Sequence, residues 1–229
     1  MRLLKIIGAA LLALHATAYA QEAKPAPVEQ KDAAKKITPA VSTIAEDEIA
    51  GFTDYAPALQ KIIREAIELT KLNLGYQFGS SDPTSGGMDC SGTIYHLLQC
   101  QALKETPRQS DEMCRWVMLH SVLYRTENIT ALKDAAFSAL KPGDLLFWTG
   151  TYDTASPRSP PITHVMIYLG KRVKDGKPVT FGASDGRSYD GQRRSGVSVF
   201  DFPLPPRGDK SAFYGYGPVP GLSLATQKP

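Results

Sequence analysis

Three cysteines and four histidines are the residues of this chain whose types and spacing could support nucleophilic or metal chemistry. Met88-Asp89-Cys90-Ser91-Gly92 sets one cysteine between a turn-rich approach, Tyr76 to Gly87, and a run from Thr93 to Leu103 with Ile94, Leu97 and Leu98 at helical spacing. Cys90 is therefore predicted at or near a helix N-terminus, where unpaired N–H groups and the helix dipole favour thiolate over thiol. A thiolate nucleophile needs a base, most often histidine, and a third group that orients the imidazole. His15 lies in an apolar N-terminal stretch, His96 points about 240° round the helix from Cys90, and His120 belongs to a later helix as a surface or half-buried residue. His164, which opens a strand after a long loop, is the base by elimination. Neither a C-x-x-C nor an H-x-x-x-H spacing occurs, so no metal or other cofactor is expected. The glycine-rich approach also lacks the G-K-[ST] ending of a phosphate loop. On these criteria alone, a buried structural cysteine explains Cys90 as well as a nucleophile does.

Composition sets the frame for these residues. The chain has 229 residues, 42% hydrophobic and 21% charged, an ordinary globular composition sufficient for one domain with extensions. Residues 1–20 read as a secretory signal: Arg2 and Lys5 supply positive charge, Ile6 to Leu14 an apolar core and Ala18-Tyr19-Ala20 a small-residue cleavage site before Gln21. No later stretch approaches the ~20 apolar residues of a membrane span. Loss of Arg2 and Lys5 lowers the formal charge from +3 to about +1, which offers no electrostatic case for nucleic acid. An odd number of cysteines in an exported chain leaves at least one free thiol or an intermolecular bridge. Cys90 and Cys100 on one helix are about 15 Å apart along its axis, beyond the ~7 Å that a disulfide allows. Two alternatives stay open for Cys100 and Cys114: a disulfide, or a pair of buried thiols.

The elements that must position the site follow in order. Residues 21–47 are polar, rich in Ala, Lys, Glu and Pro, and read as a solvated linker. The domain is expected over 48–217 and a loose tail over 218–229. Leu59, Ile62, Ile63, Ala66 and Ile67 form the stripe of a first amphipathic helix, and the cysteine helix is the second. Ser110 is placed to cap a third, with Asp111 and Glu112 in its first turn. Beyond it the pattern turns strand-like at Leu145–Trp148, His164–Leu169, Val179–Phe181, Val197–Phe200 and Ala212–Tyr216, with Asp175-Gly176 as a hairpin tip. Helices first and strands second predict an α+β fold, the helices packed on an antiparallel β-sheet.

Five segments in this order, Gly75-Tyr76-Gln77-Phe78-Gly79, Asp89-Cys90-Ser91-Gly92, Pro107-Arg108-Gln109-Ser110, Pro142 to Phe147 and His164 to Gly170, resemble the NlpC-type cell-wall peptidases, which are bacterial papain-like cysteine peptidases. The resemblance implies a papain-like core with Cys90 as nucleophile and His164 as general base. It further implies that Tyr76 lies beside the active site and that Asp89 and Ser91 help hold the peptide substrate; for Asp89, helix capping is an equal alternative. The implied reaction is hydrolysis of an amide in peptidoglycan stem peptides, commonly the γ-D-glutamyl to diamino-acid bond, by a monomeric enzyme of the periplasm or cell exterior. Two departures stand out. The family's third catalytic group, often histidine, is expected on the strand after the base, where this chain has Gly182; Ser184, Asp185 or Gln192 is left to orient His164, with Asp185 favoured because a carboxylate also stabilises imidazolium. The Gly150–Pro161 loop is longer than the usual link and is expected to border the substrate groove as a lid. A catalytically silent member that binds murein or a partner, and a related amidase or acyltransferase, are the alternative readings.

Overall fold

The computed structural model describes residues 41–222. The signal assigned to residues 1–20, and most of the linker, lie outside the described residues. Three α-helices precede the main sheet. Helix α1 (Pro57–Lys71) opens on a proline at its first position, where a missing N–H costs nothing, and buries the predicted stripe of Leu59, Ile62, Ile63, Ala66 and Ile67. Two short strands, β1 (Gly75–Tyr76) and β2 (Gly87–Met88), pair in parallel and lead into α2 (Cys90–Gln99). Helix α3 (Ser110–His120) follows. None of the helices among the described residues is long and apolar enough to cross a membrane.

The larger sheet contains β3 (Tyr124–Arg125), β4 (Asp144–Thr149), β5 (Ile162–Lys171), β6 (Pro178–Tyr189), β7 (Gln192–Asp201) and β8 (Ala212–Pro218). Its order is β3-β8-β4-β5-β6-β7 and every pairing is antiparallel, which is the predicted α+β architecture. The helices cover one face, meeting Val165, Ile167 and Leu169 of β5 and Phe181 and Ala183 of β6. The alternate residues, including Leu146, Trp148, Met166, Tyr168, Phe200 and Tyr216, form a second core with Phe137, Phe202 and Phe213 on the opposite face. Burial on both faces explains why the His164–Leu169 segment reads as an unbroken apolar run instead of alternating.

Three local expectations are corrected. The predicted strands Val179–Phe181 and Val197–Phe200 are the inner parts of one long hairpin, whose Asp190-Gly191 turn has both residues at positive φ (52° and 74°). Its outer half extends past the two packed layers, so Ser184 to Ser188 carry no apolar alternation for a sequence reader to find. Ser110 does not cap α3: the N-cap is Gln109, and the Ser110 hydroxyl turns inward to donate to the Ile162 carbonyl at 3.4 Å. The packed chain also begins upstream of Glu48. The Ser42 carbonyl accepts from Val199 N–H at 3.0 Å and Ile44 is 1% exposed, so this segment covers the outer edge of β7 that would otherwise present unpaired backbone groups.

Candidate active site

Cys90 is the first residue of α2, and Asp89 is its N-cap. Asp89 Oδ1 accepts from Gly92 N–H at 2.5 Å and Asp89 Oδ2 from Gly79 N–H at 2.8 Å, so one carboxylate closes the helix end and pins the approach loop. Arg108 completes the clamp with Nη1 to Asp89 Oδ1 (3.1 Å) and Ser91 Oγ (2.9 Å), and Nη2 to Asp89 Oδ2 (3.0 Å) and the Gly79 carbonyl (2.9 Å). The tight packing here has no room for a side chain at Gly92, where a Cβ would lie 2.0 Å from the Ser80 carbonyl oxygen. Strand pairing of β1 with β2 carries Tyr76 to the same place.

The Cys90 sulfur lies 3.9 Å from the Thr163 carbonyl, and the backbone N–H groups of Val165 and Ser91 point at it. Thr163 and Val165 flank His164. Strand β6 pairs with β5 only from Ile167 onward, which leaves this part of β5 to meet the nucleophile helix. The His164 ring is buried, lies edge-to-face with Trp148 at 5.6 Å, and has no hydrogen-bond partner at Nε2. No hydrogen bond joins the Cys90 sulfur to the imidazole; catalytic contacts of this kind often tighten only in the substrate complex. His96 is half-buried 3.7 Å from Cys100 Sγ, and His120 is exposed, so His164 is the histidine set against the Cys90 segment.

Electrostatics correct one expectation. A helix N-terminus favours thiolate, but burial wins here: desolvation, followed by the Asp89 charge, pushes the Cys90 thiol up to about 11 despite Val165, Ser91 and Arg108. Burial, then the Arg187 charge, pushes His164 well below the ordinary imidazole range. The resting pair is neutral thiol and neutral imidazole. Alkylation of Cys90 is therefore expected to be slow at neutral pH and to rise about tenfold per pH unit on the way to its pKa; a plateau already reached near pH 8, read by peptide mass spectrometry, contradicts a burial-dominated thiol. Tyr76 is held above the ordinary phenol range, first by burial and then by the Cys90 and Asp89 charges, so its hydroxyl keeps its proton and remains a donor.

Asp185 is exposed, and neither it, Ser184 nor Gln192 hydrogen-bonds the His164 ring. At Gly182 a Cβ would meet Met166 Cγ at 3.0 Å, so a thioether lies where a polar orienting group would project. Cys90, Cys100 and Cys114 are all free; Cys114 is buried, while Cys100 is exposed. Among the described residues no group of three or more His, Cys, Asp or Glu could hold a metal ion.

The groove has two parts that share Tyr76, Phe78 and Tyr152 as walls. A pocket of about 240 Å³ on the cysteine side is lined by Asp89, Cys90, Ser91, Arg108 and Arg158. A larger cleft of about 910 Å³ on the histidine side is lined by Trp148, His164, Asp185, Arg187 and the Pro203–Pro206 segment. The Gly150–Pro161 loop borders both through Tyr152, which packs edge-on to Phe78 at 5.7 Å. It is anchored by Thr151 to Thr163 Oγ1 (2.8 Å), Arg158 to the Ile162 carbonyl (3.1 Å) and Arg115 to the Ser159 carbonyl (2.7 Å). Arg108, Trp148, Tyr152, Arg158 and Arg187 were not among the site residues expected from sequence. Only Arg108 had a signal, its place in the Pro107-Arg108-Gln109-Ser110 motif.

Cys90, at the start of α2, is thus seated on the strand that carries the buried His164, within an α+β fold. The model of the NlpC/P60 family matches residues 73–190, more than half of the chain and spanning Tyr76, Cys90 and His164, and the chain belongs to that family. Its members are cell-wall peptidases of the cysteine-peptidase superfamily that act on peptidoglycan, and the fold described above agrees with their papain-like core. A search of curated proteins found no match to the chain.

Proposed function

We propose that this chain is an exported endopeptidase that hydrolyses an amide of peptidoglycan stem peptides, the γ-D-glutamyl to diamino-acid bond, with Cys90 as nucleophile and His164 as general base. The observation that carries the reading is the seating of Cys90 Sγ against the backbone on either side of His164. In this mechanism the thiol gives its proton to the neutral imidazole as sulfur attacks the carbonyl carbon. The Tyr76 hydroxyl donates to the oxyanion. The C–N bond breaks as imidazolium returns the proton to the leaving amine, leaving a thioester on Cys90. Water, deprotonated by His164, then releases the acid and the thiol. Asp89 and Ser91, locked by Arg108, form the floor for the acyl part of the stem. Export rests on the 1–20 signal sequence.

One observation favours a second reading, a silent member that binds stem peptides without cutting them: Gly182 offers no side chain to the imidazole, and His164 Nε2 has no partner. Incubation of purified protein with an L-Ala-γ-D-Glu-diamino acid tripeptide separates the two. The hydrolase reading expects L-Ala-D-Glu and free diamino acid by mass spectrometry, and none with Cys90→Ala. Binding without products in the native protein supports the silent reading.

A further inference from the structure

The histidine-side cleft carries a charge that the catalytic steps above do not use. Arg187 lies on the outer half of β6, just past an irregularity in the β6–β7 register between Ser184 and Arg187, the kind of feature that re-aims a side chain. Its guanidinium stacks over Trp148 at 4.6 Å, and Trp148 in turn touches the His164 ring. The neighbouring Gly186 lies against the Arg193 guanidinium, which leaves no space there for a Cβ. Stacking on an aromatic face holds the guanidinium plane without using its N–H donors.

Those donors have no taker. Among the described residues no acceptor or carboxylate is bonded to the Arg187 guanidinium, whereas Lys210, the other cation lining the cleft, is paired with Asp153 at 2.8 Å. Asp185 and Asp209 also line the cleft, and neither reaches ion-pair distance of Arg187. Burial lowers the Arg187 pKa only to about 10, so the side chain is charged at neutral pH. A half-buried cation with free donors, facing a cleft, is matched by a planar anion that accepts two parallel hydrogen bonds.

Reaction chemistry says which part of the substrate lies there. His164 must hand its proton to the leaving nitrogen, so the amine half of the scissile bond lies on the histidine side, and the acyl half on the Cys90 side. On that basis, and resting on the stem-peptide reading above, we propose that Arg187 binds a free carboxylate on the amine-side residue of the substrate, making the protein selective for stems whose diamino acid carries an unamidated carboxylate.

The test uses full-length Cys90→Ala protein, which binds without turnover, and calorimetry with L-Ala-γ-D-Glu-diamino acid as the free acid and as its carboxamide. The free acid is expected to bind about tenfold more tightly, as a charge-assisted pair across a partly dry cleft predicts. Adding Arg187→Gln should erase that preference, and Arg187→Lys should keep part of it; thermal melting checks that each variant is folded. Equal affinity for acid and amide, or a preference that survives Arg187→Gln, overturns the role of Arg187 and leaves the peptidase reading standing. Failure of both peptides to bind overturns the stem-peptide reading and this assignment with it.

Discussion

Replacing His164 with glutamine is expected to lower kcat on stem peptides by a factor of about 10² to 10⁴, the usual contribution of a positioned acid–base group. The loss should be large because nothing near the sulfur substitutes for the ring. Burial pushes the Cys90 thiol up to about 11, so without a proton acceptor almost none is ionised at neutral pH, and no other histidine approaches it. KM should move little, since a general base at His164 would move protons and not hold substrate. Unchanged kcat in a folded His164→Gln protein would reject it as the base. Gly182→His is not expected to supply the missing partner: its Cβ would already meet Met166 Cγ at 3.0 Å, and Met166 is fully buried, so a ring there overpacks the second core and should lower stability.

Arg108→Ala has the second large effect, on stability and activity together. Arg108 holds both oxygens of an Asp89 carboxylate whose side chain is only 10% exposed, while its own is 31% exposed. Removing one partner strands a nearly buried charge, a cost of about 3–5 kcal/mol for a fully buried pair. Exposure of the guanidinium and the surviving bonds from Gly79 and Gly92 reduce this to about 2 kcal/mol. The same change leaves Ser91 and the Gly79 loop tied to Asp89 alone, so kcat/KM should fall more than tenfold, by the usual sensitivity of reacting geometry to small displacements. Arg108→Lys should restore charge but not the two-pronged geometry, and so recover only part of each loss. Urea unfolding and steady-state kinetics on the two variants check both halves; wild-type stability in Arg108→Ala would show the clamp to be incidental.

Much of this arrangement was legible in residue types. The α1 stripe, the turn chemistry before Cys90 and the Asp89 cap are local signals, each resolved within one or two helical turns. The apolar run after His164 announced a strand; that it is buried on both faces was not legible, because the second core beneath it, from Phe137 to Tyr216, is assembled from distant segments. What stayed hidden depends on partners far apart in sequence. Cys90 sits at a helix N-terminus, yet its thiol is raised, because the β5 backbone and the groove walls remove water from it. Ser110 has the right type for a cap, but Ile162 competes for its hydroxyl. Arg187 falls in a stretch without periodicity, and only the fold places it over Trp148. Gly182 was recognisable as a departure; that Met166 fills the space was not.

If Cys90 forms a covalent acyl intermediate, rapid-quench mass spectrometry captures it. Protein mixed with excess L-Ala-γ-D-Glu-diamino acid and quenched in acid within the first turnover should gain the mass of the L-Ala-γ-D-glutamyl acyl group, located on the peptide that contains Cys90 and absent from Cys90→Ala. Release of products with no adduct at Cys90, or an adduct at Cys100 or Cys114 in its place, would contradict the account.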